Sequence, residues 1–543
     1  MTSDLQVKRE NPLVLAHLYF ATLALMLGAV FGFLQALSRA RWLSMPTWFD
    51  YYRMLTAHGV LMAIVFTTFF IVGLATLFTY RAIPRQRSLA LGWLAFWLMA
   101  TGTAAAAAAI LSGNASVLYT FYAPLKAHPA FYIGTTLLVI GTWIVLIDIL
   151  TNVAWFRRNH SGERLPLVVH GATCTFMMWF IATLGVAIEM LFFLIPWSLG
   201  WTPTVNVMMT RILFWYFGHP LVYFWIMGAY LIWYNIVPLH YGGRVFSDSL
   251  TRLTFLLLLI LSTPVGLHHE FVEPGIAAGW KWLHTMLTYG VVIPSIMTAF
   301  AIFASFELAA QRRGLRGFWG TVRSLPWDNP ALTGPVLGMI LFIFGGLGGI
   351  VNASYSMDVI VHNTMWIVGH FHVTVGGPVA LTFVGTSYWL IPRLTGRRLW
   401  APKLALAQTY MWFVGMAVMS TAMHWAGLLG SPRRTDDVSY FGTQAASLWM
   451  PHMQAAAIGG SLLFLSILMF AAVAFGTLFT ERDESQVIEF AQVDEHAATT
   501  PAYLDRIGGW GLAAVILAIL AYAGPIHELL HLHVYGAPGL RTW

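Results

Sequence analysis

The chain has 543 residues, 58% of them hydrophobic and 9% charged, with a formal net charge of +7 and a mean hydropathy of +0.70. Soluble domains carry about 25% charged residues, so this composition excludes a soluble enzyme and leaves a polytopic membrane protein. The basic residues are spread over short loops, which excludes nucleic acid as their partner, and the single cysteine, Cys174, excludes an internal disulfide, a cysteine zinc site and an iron–sulfur cluster.

In chain order, a polar segment over 1–12 comes first and lacks a signal-peptide pattern. Thirteen apolar stretches follow, each long enough to cross a bilayer as a helix of about 20 residues. They run over 13–38, 53–80, 88–112, 130–156, 167–196, 206–238, 250–269, 281–310, 333–356, 364–392, 402–430, 453–480 and 505–528. Unsatisfied backbone is too costly in lipid for open structures. The expected fold class is therefore an all-α polytopic membrane protein of about 13 transmembrane helices, a single domain over 1–543. The run Ala104–Ala109 reads as tight helix packing. The acidic, disorder-like segment Glu481–His496 falls in a polar loop, 481–500, between the last two stretches.

Arginine and lysine accumulate at the N-terminus (Lys8, Arg9) and after every second stretch: Arg81, Arg85 and Arg87; Arg157, Arg158 and Arg164; Arg244 and Arg252; Arg312, Arg313, Arg316 and Arg323; and Arg393, Arg397, Arg398 and Lys403. The positive-inside rule then expects a cytoplasmic N-terminus and an outer C-terminus, with loop 481–500 cytoplasmic.

On that topology six histidines fall in the outer half of the bilayer: His58 near the start of the second stretch, His219 within the sixth, His268 and His269 at the outer end of the seventh, and His370 and His372 early in the tenth. Ionisable groups at such depth are expensive and mark function, and imidazole binds copper and iron well. His17, His240, His424, His452, His527 and His531 read instead as isolated residues at helix ends or in loops. Residues two apart on a helix point about 200° apart. His370 and His372 can therefore serve two different haems, with His58 closing the second axial position of one of them. His219, His268 and His269 can then form a three-nitrogen copper site facing the open side of the other.

These residues resemble a known family. Gly218-His-Pro-Leu-Val-Tyr223, Ser262-Thr-Pro-Val-Gly-Leu-His-His269 and Gly369-His-Phe-His372 are similar to the motifs of haem–copper terminal oxidase subunit I, and most similar to its B family of ba-type cytochrome c oxidases. Leu325-Pro-Trp-Asp-Asn-Pro330, Gly349-Ile-Val-Asn-Ala-Ser354 and His424-Trp-Ala-Gly427 carry the same resemblance along nearly the whole chain. It implies a catalytic subunit that reduces dioxygen to water and pumps protons in a prokaryotic inner membrane. It implies CuB on His219, His268 and His269, a high-spin haem iron on His370, and a low-spin haem iron between His58 and His372. The low-spin haem is expected to be b-type and the high-spin haem a-type. Tyr223, one turn from His219, is similar to the family's tyrosine that is covalently joined to a copper-ligating histidine and supplies a proton and an electron.

The A family has a glutamate where this chain has Leu221, so a single proton pathway is expected to serve both chemistry and pumping. That pathway resembles Tyr234, Thr298, Ser295 and Tyr230 leading to Tyr223; Tyr223, Tyr230 and Tyr234 form one helical stripe. Arg433 and Arg434 resemble the arginines that bind haem propionates, which need cations or hydrogen-bond donors. Asp358, His362 and Asn363 match positions beside the high-spin haem propionate. Glu270 stands directly after the histidine pair, and its role stays open. No CuA motif and no Cys-x-x-Cys-His is present. Electrons are therefore expected through a CuA-bearing subunit II, with cytochrome c or a copper protein as donor and a small single-helix subunit as a further partner. Two alternatives remain at this point. A nitric oxide reductase of the same superfamily would hold a non-haem iron and lack Tyr223. A proton-coupled transporter would show inverted repeats and no visible spectrum.

Overall fold

The computed structural model describes residues 2–45, 50–483, 485, 487–494, 500–532 and 536–542, with side chains from Arg9 onward. Among the described residues, twelve helices are long and apolar enough to span a bilayer: α1 (Arg9–Arg39), α2 (Tyr51–Ala82), α3 (Ala90–Leu111), α4 (Pro129–Asn159), α5 (Leu167–Ser198), α6 (Val207–His240), α8 (Ala278–Gln311), α9 (Pro330–Ala353), α10 (Met365–Thr395), α11 (Pro402–Leu428), α12 (Ala446–Phe479) and α13 (Ile507–His531). Between α6 and α8 lies the shorter α7 (Asp248–Leu261). A two-residue parallel pairing of Leu125–Lys126 with Leu540–Arg541 ties the chain's end to the loop before α4. The central helices are α2 and α6, each 89% buried, whereas α13 is 33% buried and lies at the edge of the bundle. The polar segment 1–12 is helical from Thr2, continuous with α1.

The expected span over 250–269 is not one helix. Its helical part stops at Leu261, and the chain makes an irregular passage before a 3-10 turn at Leu267–Glu270. Pro264 has no backbone N–H to continue the ladder. Gly266 is required by close packing: a Cβ there would lie 2.2 Å from the Tyr522 hydroxyl and 2.3 Å from the Trp215 carbonyl. His268 and His269 therefore sit on a turn, not at a helix end. Three spans also widen into π-helical segments, Val60–Phe66 in α2, Glu189–Leu194 in α5 and His372–Ala380 in α10. Such segments recur at functional sites, and two of these adjoin His58 and include His372.

The arginine-rich loops gather at one end of the bundle and the six histidines near the other. At the arginine end, Asp505 pairs with Arg157 at 2.5 Å and Arg252 at 2.9 Å, and Arg252 also binds Asp248 at 2.7 Å. The segment read as disorder-like is held there instead. Asp483 N donates to Gly396 O (2.8 Å), Ala491 N donates to Asn235 O (2.7 Å), Val493 bridges Val245, and Asp494 pairs with Arg312. Its acidic side chains find arginines that lie far away in sequence. Residues 484, 486 and 495–499 of that loop lie outside the described residues. Replacing Asp505 by alanine removes a charged partner that Arg252 and Arg157 share. The expected cost is about 2 kcal/mol, seen as a lower thermal midpoint of the detergent-purified protein with unchanged metal content.

Candidate metal centre

Helix α6 carries His219 in the middle of the bundle, and the broken end of α7 swings His268 and His269 against it. His219 Nδ1 lies 2.9 Å from His269 Nε2, and the His268 ring stands nearly perpendicular to the His219 ring at 4.1 Å. One ligand nitrogen from each histidine falls within 4.8 Å of the others. Neighbours fix each ring. Trp215, one turn before His219, stacks on His269 at 3.8 Å with the planes 7° apart. Thr288 of α8 donates its hydroxyl proton to His284 O (2.6 Å), so it must accept from His268 Nδ1 at 3.0 Å. That leaves His268 Nε2 as a free lone pair. Three imidazoles with no sulfur and no carboxylate among them fit copper. His219 Nε2, on the side away from His269, lies 3.1 Å from the Tyr223 hydroxyl.

A second pair sits on the other side of α10. The rings of His58 and His372 are 13° from parallel with centroids 6.0 Å apart. His58 Nδ1 lies 2.8 Å from Gly28 O, and His372 Nδ1 lies 2.8 Å from Val368 O. A carbonyl can only accept, so both Nδ1 atoms carry protons and both Nε2 atoms are free. Two nearly parallel imidazoles at this spacing fit one metal with bonds of about 2 Å on each side. The gap opens into a cavity lined by α1, α2, α10, α11 and α12, with Arg433 and Arg434 at one end. This shape, apolar with a cationic end, fits a haem.

His370 faces away from that pair, within electrostatic reach of His219, His268 and His269. Thr374 donates to His370 O (2.7 Å) and accepts from His370 Nδ1 (3.3 Å), again freeing Nε2. Gly348 of α9 makes room for the ring, since a Cβ there would lie 2.8 Å from His370 Nδ1. The cradle fits a second haem.

The residues expected around the propionates form one cluster. Arg433 donates to Asn363 Oδ1 at 2.7 and 3.1 Å, and His362 Nδ1 lies 2.8 Å from Asp358 Oδ2. A backbone bridge between Thr364 and Pro432 sets the two loops side by side. Burial and the adjacent Arg434 pull the Arg433 guanidinium down to a pKa of about 10, so it stays cationic at neutral pH. Two adjacent cations facing a cavity are suited to an anionic group there.

Of the expected proton pathway, Tyr234 donates to Thr298 Oγ1 at 3.1 Å. Among the described residues no direct hydrogen bond reaches the buried Tyr230 hydroxyl, and Ser295 and Thr298 lie beside it. Sequence reasoning missed several contributors. Arg39, at the end of α1, donates to Tyr51, Thr435 O and Pro432 O beneath the Arg433–Arg434 loop; a buried arginine at the cation-poor end was its only signal. His424 is not isolated, because its ring meets the Trp366 ring edge-on at 4.6 Å and Gly369 abuts it. Nor is His17 at a helix end: it is fully buried within α1 beside Phe69 and Phe96. Glu270 is buried, and neither of its carboxylate oxygens is hydrogen-bonded among the described residues.

The family model described as Cytochrome C and Quinol oxidase polypeptide I matches residues 12–462. The chain is 42% identical to a cytochrome c oxidase subunit 1 of Thermus thermophilus, over 98% of this chain and 97% of that protein. It is 27% identical over 75% of its length to a heme-copper oxidase subunit I+III of Aeropyrum pernix, covering 49% of that longer protein. Among solved structures, a heme-copper terminal oxidase determined as a dimer by electron cryo-microscopy superposes with a TM-score of 0.93. It is 35% identical, over 98% of this chain and 95% of the other.

Proposed function

The chain belongs to the cytochrome c and quinol oxidase polypeptide I family, and from that premise we propose how its residues divide the work. It is the dioxygen-reducing catalytic subunit of a cytochrome c oxidase, a multi-pass membrane protein whose family holds haems and CuB and works with other subunits and an electron donor. Within that frame, His219, His268 and His269 bind CuB, His370 binds the high-spin haem iron, and His58 with His372 binds the low-spin haem iron. The low-spin haem is b-type and the high-spin haem a-type. Arg433 and Arg434 bind the propionates, and Asp358, His362 and Asn363 lie beside that of the high-spin haem. The observation that carries the assignment is the convergence of the three imidazoles, with Tyr223 on the far nitrogen of one of them.

When bound, the two haems and the copper supply electrons and an open coordination position for dioxygen. The chain does the rest. Thr288, Thr374, Gly28 O and Val368 O fix the imidazole tautomers of His268, His370, His58 and His372, so each of these four presents a lone pair at Nε2. Tyr223 keeps a proton on its hydroxyl 3.1 Å from His219 Nε2, where it can be released toward the reacting oxygen. Tyr230, Ser295, Thr298 and Tyr234 return a proton to it from the arginine end, with water completing the step at the unbonded Tyr230 hydroxyl. Leu221 offers no proton carrier, so this same path also feeds pumping. The arginine-rich end faces the cytoplasm of a prokaryotic inner membrane. The histidine end receives electrons from a CuA-bearing subunit II, itself supplied by cytochrome c or a copper protein, and a small single-helix subunit completes the complex.

Metal analysis with a reduced-minus-oxidised spectrum tests the assignment. One copper and two haem irons per chain are expected; extra iron without copper would point to a nitric oxide reductase, and no visible bands to a transporter. For the pathway, Thr298→Val should slow steady-state oxygen consumption at least about tenfold while the haem spectra stay as in the parent. An unchanged rate would remove Thr298 from the route.

A further inference from the structure

We infer that the histidine end of α13 carries a second, separate metal site, in which His527 and His531 bind a divalent transition cation such as Zn2+. In sequence the two residues frame His527-Glu-Leu-Leu-His531. Their i,i+4 spacing puts both on one face of the helix, the arrangement by which a helix chelates zinc. In the structure the two rings are neighbours, with centroids 4.2 Å apart and planes 36° from each other. Both residues are exposed, so a hydrated cation can reach them.

The His531 ring is already oriented as a ligand. Its Nδ1 lies 2.8 Å from the His527 carbonyl oxygen. That oxygen only accepts, so Nδ1 carries the proton and Nε2 is left as a free donor. His372 uses the same device with Val368 O, four residues before it. A backbone carbonyl that fixes the tautomer of a ligating histidine is a recurrent feature of metal sites. Imidazole pairs select borderline cations, whereas Mg2+ and Ca2+ require oxygen donors.

The spacing is that of zinc proteases, yet the chemistry is not. Glu528, which would act as the general base there, has its Oε1 engaged by Trp280 Nε1 at 2.8 Å. Among the described residues no third histidine, cysteine or carboxylate joins the pair, since His219, His268 and His269 form the only group of three. The remaining coordination positions are therefore open to water. This is a binding site on the last turn of α13, not a hydrolytic centre. Its position gives it a mechanical connection to the buried metals. Glu528 ties that turn to α8, Ala521 O lies 3.2 Å from His284 Nε2, and the Tyr522 hydroxyl abuts Gly266 just before the turn bearing His268 and His269.

The test uses the holoenzyme with its haems and copper, washed with a chelator too weak to remove them, and titrated with Zn2+ against a chromophoric competitor. The parent should take up one exchangeable Zn2+ per chain. His527→Ala, His531→Ala and the more conservative His531→Gln should each weaken that uptake at least about tenfold, with visible spectra unchanged. His533, which lies outside the described residues, is left intact in all of them. Uptake by the variants equal to the parent's, or a parent that takes up no exchangeable Zn2+, would overturn the assignment.

Discussion

His219→Ala is expected to empty the copper site and bring dioxygen reduction to the background rate. His219 lies centrally in the site: its Nδ1 is 2.9 Å from His269 Nε2, and its ring packs edge-on against His268. Without it, only the two neighbours on the 3-10 turn remain, and copper loses one of its three imidazoles. The substitution also strips Tyr223 of its partner, because His219 Nε2 is the atom facing that hydroxyl. The two haem positions do not depend on His219. Metal analysis should therefore show copper falling from one per chain to near zero with haem iron retained. An oxygen electrode should show turnover lost. A His219→Ala protein that keeps full copper would show that the metal is held elsewhere.

Tyr223→Phe separates metal binding from proton chemistry. The ring stays, so the packing of α6 around it is preserved, and only the hydroxyl is lost. Copper and both haems should remain at parental levels. Turnover should fall by at least about 10²-fold, the usual contribution of a positioned proton donor. The loss should appear in the oxygen-reducing step, with reduction of the low-spin haem by donor still fast in stopped-flow traces. Turnover at the parental rate would mean that the proton reaches the centre without passing through Tyr223. Together with His219→Ala and Thr298→Val, this substitution separates three layers: ligands, proton donor and supply route.

The histidines were readable in sequence because their expense in lipid makes each one visible against an apolar background. In a regular α-helix His370 and His372 face opposite ways, yet α10 widens into π-helix from His372 onward. The division survives because Val368 O and Thr374 hold the two rings independently. His527 and His531 were read as isolated, although they are four residues apart. Their i,i+4 spacing puts them on one face of a helix, and the structure brings the two rings to 4.2 Å.

The amino-acid sequence by itself determined the membrane class, the rough limits of twelve of the thirteen expected spans, the clustering of cations at one end, and the ligand types. These follow from local quantities: hydropathy over about 20 residues, charge per loop, and side-chain chemistry. Only the tertiary structure decided that α7 breaks at Leu261, that the acidic loop before α13 is anchored by arginines, that Arg39 joins the propionate cluster, and which nitrogen of His58, His268, His370 and His372 is free. Each of these depends on partners far apart in the chain, such as Gly28 O with His58, Thr288 with His268 and Asp494 with Arg312. Hydrogen bonds and close packing act through space, and no local reading of residue order contains the distance between such pairs.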